Sequence, residues 1–223
     1  MDYRGTNLYL LNSLLTLDEF VQFTLEKKLA NLESLSGIPG SVGAAPIQNI
    51  GAYGHDVSEV IARVRTYDRH EKKIQTFSAS ECGFGYRTSR FKKERERYVI
   101  LDVTFQLRRG EITTPITYAE LARELGIQVG EKTDVIKTRE AVLMIRARKG
   151  MLLDKNDHDC WSAGSFFTNP IISRAQADKL PEAAPRFIQE DGSIKTSAAW
   201  LIENSGITKG ESINGARVST KHV

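Results

Sequence analysis

The chain has 223 residues, is 40% hydrophobic and 26% charged, and carries a formal net charge of +3. That balance describes a folded globular chain and excludes a disordered one. No apolar run is long enough to span a bilayer, and the small basic excess is no nucleic-acid footprint. The opening stretch "MDYRGTNLYLLNSLLTLDEF" is broken by Asn12 and Ser13 and carries Asp18 and Glu19, so no signal peptide is expected there. Cys82 and Cys160 lie far apart and read as two reduced thiols. His55, His70, His158 and His222 are scattered, so no metal site is expected.

Residues 1–16 match no pattern. Thr16 and Glu19 form a capping box, and Leu17, Phe20, Val21, Thr24 and Leu25 then recur at helical spacing to about Leu29. "VSEVIARVRTY" (Val57 to Tyr67) alternates apolar and charged residues and predicts a strand. "KIQTFS" (Lys73 to Ser78) is its hairpin partner across a polar turn, and "YVILDVTFQL" (Tyr98 to Leu107) is a third, stronger strand. Between them "RFKKERERY" (Arg90 to Tyr98) reads as a solvated loop, because Glu94 and Glu96 interrupt its basic charge.

After Gly110 the pattern turns helical. Thr117 and Glu120 predict a capping box for a helix ending at Gly126. A longer helix is expected over Thr133 to Lys149, ended by Gly150, and Thr196 is expected to cap "SAAWLIENSG". Strands dominate before about residue 110 and helices after it, which predicts an α+β class with a domain boundary there.

Two stretches carry chemistry. "GIPGSVGAAPIQNIGAYG" (Gly37 to Gly54) has glycines at 37, 40, 43, 51 and 54 and suits neither helix nor regular strand. Glycines let a backbone approach a ligand closely, and successive N–H groups in such a loop could cradle phosphates or a ring edge. Ala44, Ala45, Ile47 and Ile50 could line a flat aromatic ligand, with Gln48 and Asn49 at its rim. The alternative is a tight surface loop. The spacing is not a G-x-G-x-x-G fingerprint, and no βαβ unit surrounds it. In "SAGSFFTNP" (Ser162 to Pro170), Ser165 is either a turn residue before a buried strand or a reactive hydroxyl. A hydrolase nucleophile is disfavoured because "GSFF" is not G-x-S-x-G.

These two stretches, together with "GYRTSRFK" (Gly85 to Lys92) and "AWLIENSGITKG" (Ala199 to Gly210), resemble the UDP-N-acetylenolpyruvoylglucosamine reductase family in order and separation. The likeness runs from about Leu17 to the end. It implies part of a vanillyl-alcohol-oxidase-like FAD-binding domain over 17–110 and an α+β substrate domain over 111–223. It also implies FAD as cofactor, NADPH as reductant and UDP-N-acetylenolpyruvoylglucosamine as substrate, reduced to UDP-N-acetylmuramate for peptidoglycan. A cytoplasmic bacterial monomer without nucleic-acid or membrane partners is the accompanying expectation.

By the same resemblance Ser165 is the proton donor and Arg87 the cation that stabilises an enolic intermediate. Gly37, Ile38, Pro39, Gly40, Ser41, Gly43, Ala44, Gln48, Asn49, Ile50, Gly51, Tyr53 and Gly54 match the cofactor loop. Tyr86, Tyr118, Lys149 and Asn169 match substrate-contacting positions, Tyr118 marking the subtype with a substrate-capping tyrosine loop. The family's Gly-rich "GGGSN"-like turn has no counterpart before Leu17. Its third catalytic residue, a glutamate, is expected beyond Val223, and Glu203 is not that residue. The alternative expectation is therefore an inactive remnant with little or no cofactor binding.

Overall fold

The computed structural model describes residues 6–160, 167–189 and 191–222. The chain forms two compact units, Met1–Arg146 and Ala147–Val223. The first contains, in order, β1 (Thr6–Asn12), α1 (Leu17–Glu26), β2 (Leu29–Ala30), β3 (Gly51–Ala52), β4 (His55–Asp56), β5 (Ile61–Asp68), β6 (Lys73–Ser78), α2 (Arg90–Lys93), β7 (Tyr98–Arg109), α3 (Ala119–Leu125) and α4 (Val135–Arg148).

Its sheet runs β1-β7-β5-β6, with β2 also pairing β7, and every pairing is antiparallel. β7 is the spine because its inward residues Val103, Phe105 and Leu107 are fully buried. α1 lays Phe20 and Val21 on that face, with the Phe20 and Phe105 rings 4.8 Å apart. Val42 and Ala45 of the glycine-rich loop close the same core, so the loop is welded to the sheet from inside. On the opposite face, Leu8, Leu10, Arg63, Arg65 and Asp102 line a shallow cavity of about 260 Å³ that shares no residue with the loop. A second apolar cluster joins Ile116 and Leu121 to Val142 and Ile145 of α4.

The second unit is built from short pieces. A three-stranded antiparallel sheet orders β8 (Ile171–Ile172), β10 (Ile194–Lys195) and β9 (Phe187–Ile188). α5 (Arg174–Ala177) and α6 (Ala198–Glu203) flank it in sequence, and a hairpin of β11 (Ser212–Ile213) and β12 (Ala216–Arg217) follows. Ion pairs Asp159–Arg217 and Asp157–Lys221 tie this hairpin and the residues after it to the stretch after α4.

The mixed α+β class is the expected one, and several elements differ in instructive ways. Residues 6–12, unmatched in the sequence reading, pair with β7 along their whole length. Both phases of "NLYLLN" carry apolar side chains, so no alternation announced the strand. The strand expected from Val57 starts at Ile61, because Asp56 and Glu59 form a capping box that winds Val57–Glu59 into a 3-10 turn. α3 has no side-chain cap from Thr117; that hydroxyl packs against Gly54, and Tyr118 takes the cap position. α6 is capped by Ser197, while Thr196 is buried and donates its N–H to the Pro170 carbonyl. α4 opens on Asp134, whose carboxylate accepts from the Ile136 and Lys137 amides.

The "RFKKERERY" run is not simply a solvated loop. It begins with α2, buries Phe91, and sends Arg97 to Asp68, whose side chain is fully buried. Arg97 donates twice to one Asp68 oxygen, and the His70 and Glu71 amides donate to the other. With Arg97 as the main cause, the Asp68 carboxyl is pushed down to about 2. An unfolded aspartate titrates at about 4, so this pair stabilises the fold fully above about pH 4 and loses its effect as pH falls toward 2. Thermal unfolding of the wild type should therefore shift down across that window. Asp68→Asn should start less stable and lose most of that slope. An unchanged slope in the variant would place the acid sensitivity elsewhere.

Candidate functional site

The glycine-rich loop leaves α1 and β2 and is pinned at both ends. The Gly37 amide donates to Asp18 at 2.6 Å, and Arg139 of α4 grips the same carboxylate through two bonds of 2.6 and 2.8 Å. Arg139 is the main reason that the Asp18 carboxyl lies below its ordinary range. The Leu17 amide donates to Gly40, and the amides of Val42 and Gly43 donate to Leu15 and Ser13. A Cβ on Gly43 would overlap the Ser13 side chain, so this glycine is a packing requirement.

A cradle of successive bare N–H groups does not form along the loop. The amides of Ala44, Ala45, Ile47, Asn49 and Ile50 also donate to carbonyls within the loop. Gly40 and Ser41 are an adjacent pair whose N–H groups have no acceptor among the described residues. Gly40 has φ +111° and open space where a side chain would stand. Pro39, Gly40, Ala44, Ile47 and Gln48 are exposed, which leaves a small, largely apolar rim with two backbone donors. Ile38 and Ile50 pack inward against the core.

Past Ile50 the chain makes a tight hairpin of β3 and β4. Tyr53 and Gly54, its two central residues, both have positive φ (51° and 89°), as a type I′ turn requires. Gly51 faces Asp56 across this hairpin, and a Cβ there would lie 2.6 Å from the His55 carbonyl and still closer to the Asp56 carboxylate. The Tyr53 ring meets Tyr118 edge-on at 5.5 Å, and burial pushes the Tyr53 hydroxyl up to about 12. Tyr118 itself remains 43% exposed, beside the loop.

Arg87 brings the second motif to the first. It sits in the turn closed by two reciprocal bonds between Gly85 and Thr88, and its φ is +52°. Its Nη1 donates to the Asn49 carbonyl (3.2 Å) and to Asp56 Oδ1 (3.0 Å), and its Nη2 donates to the Gly51 carbonyl (2.5 Å). The adjacent Tyr86 ring lies 5.2 Å from the guanidinium. Asn49, buried and at φ +46°, links the same elements: its amide nitrogen donates to Gly85, and its oxygen accepts from Ser58. Ser89 donates to the Ile47 carbonyl and caps α2.

Asn49 was expected at a ligand's rim, and its side chain is instead spent on the scaffold. Sequence reasoning also missed Asp56, Ser89 and Lys92, whose Nζ donates to the Arg87 carbonyl at 2.9 Å. The signal was available only for Asp56, an acid two residues after the last loop glycine, Gly54.

In the second unit Asn169 Oδ1 accepts from the Ala198 amide at 3.0 Å and so anchors the start of α6. Lys149 follows the last residue of α4 and is half-buried. Ser165 lies outside the described residues. Glu203 pairs with Lys209 at the surface. Among the described residues no cluster of His, Cys, Asp or Glu could hold a metal, and no helix is long and apolar enough to cross a membrane.

Residues 154–223 match the family model for the C-terminal domain of UDP-N-acetylenolpyruvoylglucosamine reductase. The chain is 56% identical over 209 residues to the reductase of that name from Cutibacterium acnes, covering 92% of this chain and 55% of the relative. It is 50% identical over 210 residues to that from Streptomyces coelicolor, covering 89% and 55%. The chain thus spans little more than half the length of these relatives. A crystal structure of the reductase from Thermus caldophilus aligns over 100% of this chain and 60% of its own, with a TM-score of 0.55 and 22% identity, a likeness of fold.

Proposed function

The chain belongs to the UDP-N-acetylenolpyruvoylglucosamine reductase family, and from that premise we propose that it carries the flavin- and substrate-binding parts of an NADPH-driven, FAD-dependent reductase. The reaction would saturate the enolpyruvyl double bond of UDP-N-acetylenolpyruvoylglucosamine, giving UDP-N-acetylmuramate for the cell wall. What supports the reading is one geometric fact: the Arg87 guanidinium is held directly against the glycine-rich loop, at Asn49 and Gly51.

The residues present suit a flavin in part. The rim of Pro39, Ala44, Ile47 and Gln48 offers a small apolar surface, and the Gly40 and Ser41 amides offer donors for an anionic or carbonyl edge. In this reading the loop from Gly37 to Gly54 holds FAD, over residues assigned to a vanillyl-alcohol-oxidase-like domain. FAD, when bound, supplies the hydride that NADPH gave it.

This chain's residues do the remainder. Arg87 neutralises the substrate carboxylate as charge grows on it; three of its five N–H donors are already engaged, leaving one on Nε and one on Nη2. Ser165 delivers a proton to the carbon next to that carboxylate, a task for which a hydroxyl suffices only when a cation stabilises the enolic form. By the resemblance, Tyr86, Tyr118, Lys149 and Asn169 are the substrate-contacting residues.

The test is to purify the protein with FAD and follow NADPH absorbance with and without the enolpyruvyl sugar nucleotide. Bound flavin and substrate-dependent NADPH consumption are expected. Absence of both would favour the inactive remnant.

A further inference from the structure

We infer that Asp56 is the positioning residue for Arg87: its carboxylate fixes the guanidinium against the β3–β4 hairpin so that the remaining donors face a substrate anion. The catalytic consequence rests on the reductase reading; the positioning itself does not.

Three observations carry this. First, Asp56 is the carboxylate that meets Arg87, 3.0 Å from Nη1, and the other two acceptors are main-chain carbonyls of the same hairpin and its approach. Carbonyls fix direction, whereas the charged partner supplies the stronger bond. Second, the hairpin is built around that carboxylate. Gly51 stands opposite Asp56, and any side chain on Gly51 would occupy the carboxylate's place. Third, the arginine's backbone is held in a conformation that a non-glycine residue seldom adopts, φ +52°. The reciprocal Gly85–Thr88 bonds and the Lys92 ammonium on the Arg87 carbonyl keep it there.

The arrangement aims one particular guanidinium edge. Asp56 is about a third exposed and Arg87 a quarter, so the pair lies at the surface of the loop where a ligand can reach it.

Asp56→Asn keeps the shape and removes the charge; Asp56→Glu keeps the charge and lengthens the reach. In the flavin-loaded protein, Asp56→Asn should slow substrate-driven flavin reoxidation by about ten- to a hundredfold, the range for losing a charge-assisted bond. Flavin reduction by NADPH should be unaffected, and Asp56→Glu should recover part of the lost rate. Independently of turnover, phenylglyoxal should label Arg87 at least about tenfold faster in Asp56→Asn than in wild type, read by peptide mass spectrometry at matched thermal stability. Unchanged labelling overturns the inference. Equal slowing of both half-reactions also overturns it, since that is the mark of a general structural role. A wild type that labels as expected but shows no substrate-dependent turnover sinks the reductase reading and leaves the clamp standing.

Discussion

Ser165→Ala is expected to leave flavin reduction by NADPH near its wild-type rate and to slow reoxidation by the enolpyruvyl substrate by about a hundred- to ten-thousandfold. That is the span usual for losing a positioned acid, or about 3–5 kcal/mol of transition-state stabilisation. The asymmetry follows from the chemistry. Only the second half-reaction creates a carbon that must be protonated, so only that half needs the hydroxyl. Arg87 would still neutralise the carboxylate, which is why some rate should survive. Ser165→Cys restores a proton donor at the same place and should recover part of the loss. Rapid-mixing measurements of the two half-reactions decide it. Equal slowing of both would make Ser165 a structural residue.

Gly51→Val is expected to cost about 3 kcal/mol, the upper end for forcing new atoms into a packed position. Its first carbon alone would press on the His55 carbonyl and displace the Asp56 carboxylate. The hairpin would open, Arg87 would lose two of its three partners together, and flavin retention should fall with them. Gly40→Val provides the contrast. Its φ of +111° makes any side chain strained, at about 1–2 kcal/mol, but the space around it is open. Denaturant unfolding of both variants, with flavin content measured on the same samples, separates the two roles. Flavin lost from Gly40→Val while the fold persists would place the cofactor at the rim of the loop. Equal destabilisation by both substitutions would contradict the packing role assigned to Gly51.

Much of the first unit was legible because its signals are local. The Thr16–Glu19 capping box and the apolar spacing after it place α1, period-two alternation places β5, and the strand-like runs on either side of the charged stretch place β6 and β7. Gly126 and Gly150 end their helices with positive φ, as glycines at that position do. What stayed hidden depends on partners far along the chain. β1 exists because β7 offers it an edge. Asp68 is buried because Arg97, 29 residues later, neutralises it.

The site divides in the same way. The glycine-rich loop and the arginine motif could be read as stretches, but their meeting could not. Asn49 and Arg87 are 38 positions apart, and no spacing rule connects them. The loop's glycines looked alike in sequence. In space Gly43 and Gly51 are required by neighbouring protein atoms, whereas Gly40 borders open space. That difference comes from what packs against each glycine.

The central claim is that the loop from Gly37 to Gly54 and Arg87 together carry flavin-dependent reduction of an enolpyruvyl sugar nucleotide. Single-turnover reoxidation tests it most directly. Protein loaded with FAD is reduced anaerobically with NADPH and mixed with UDP-N-acetylenolpyruvoylglucosamine or with UDP-N-acetylglucosamine, which lacks the double bond. The account predicts rapid return of the flavin's visible absorption with the first compound alone, slowed about a hundredfold or more in Arg87→Ala. Reoxidation at the same rate with either compound, or undiminished in Arg87→Ala, would contradict it.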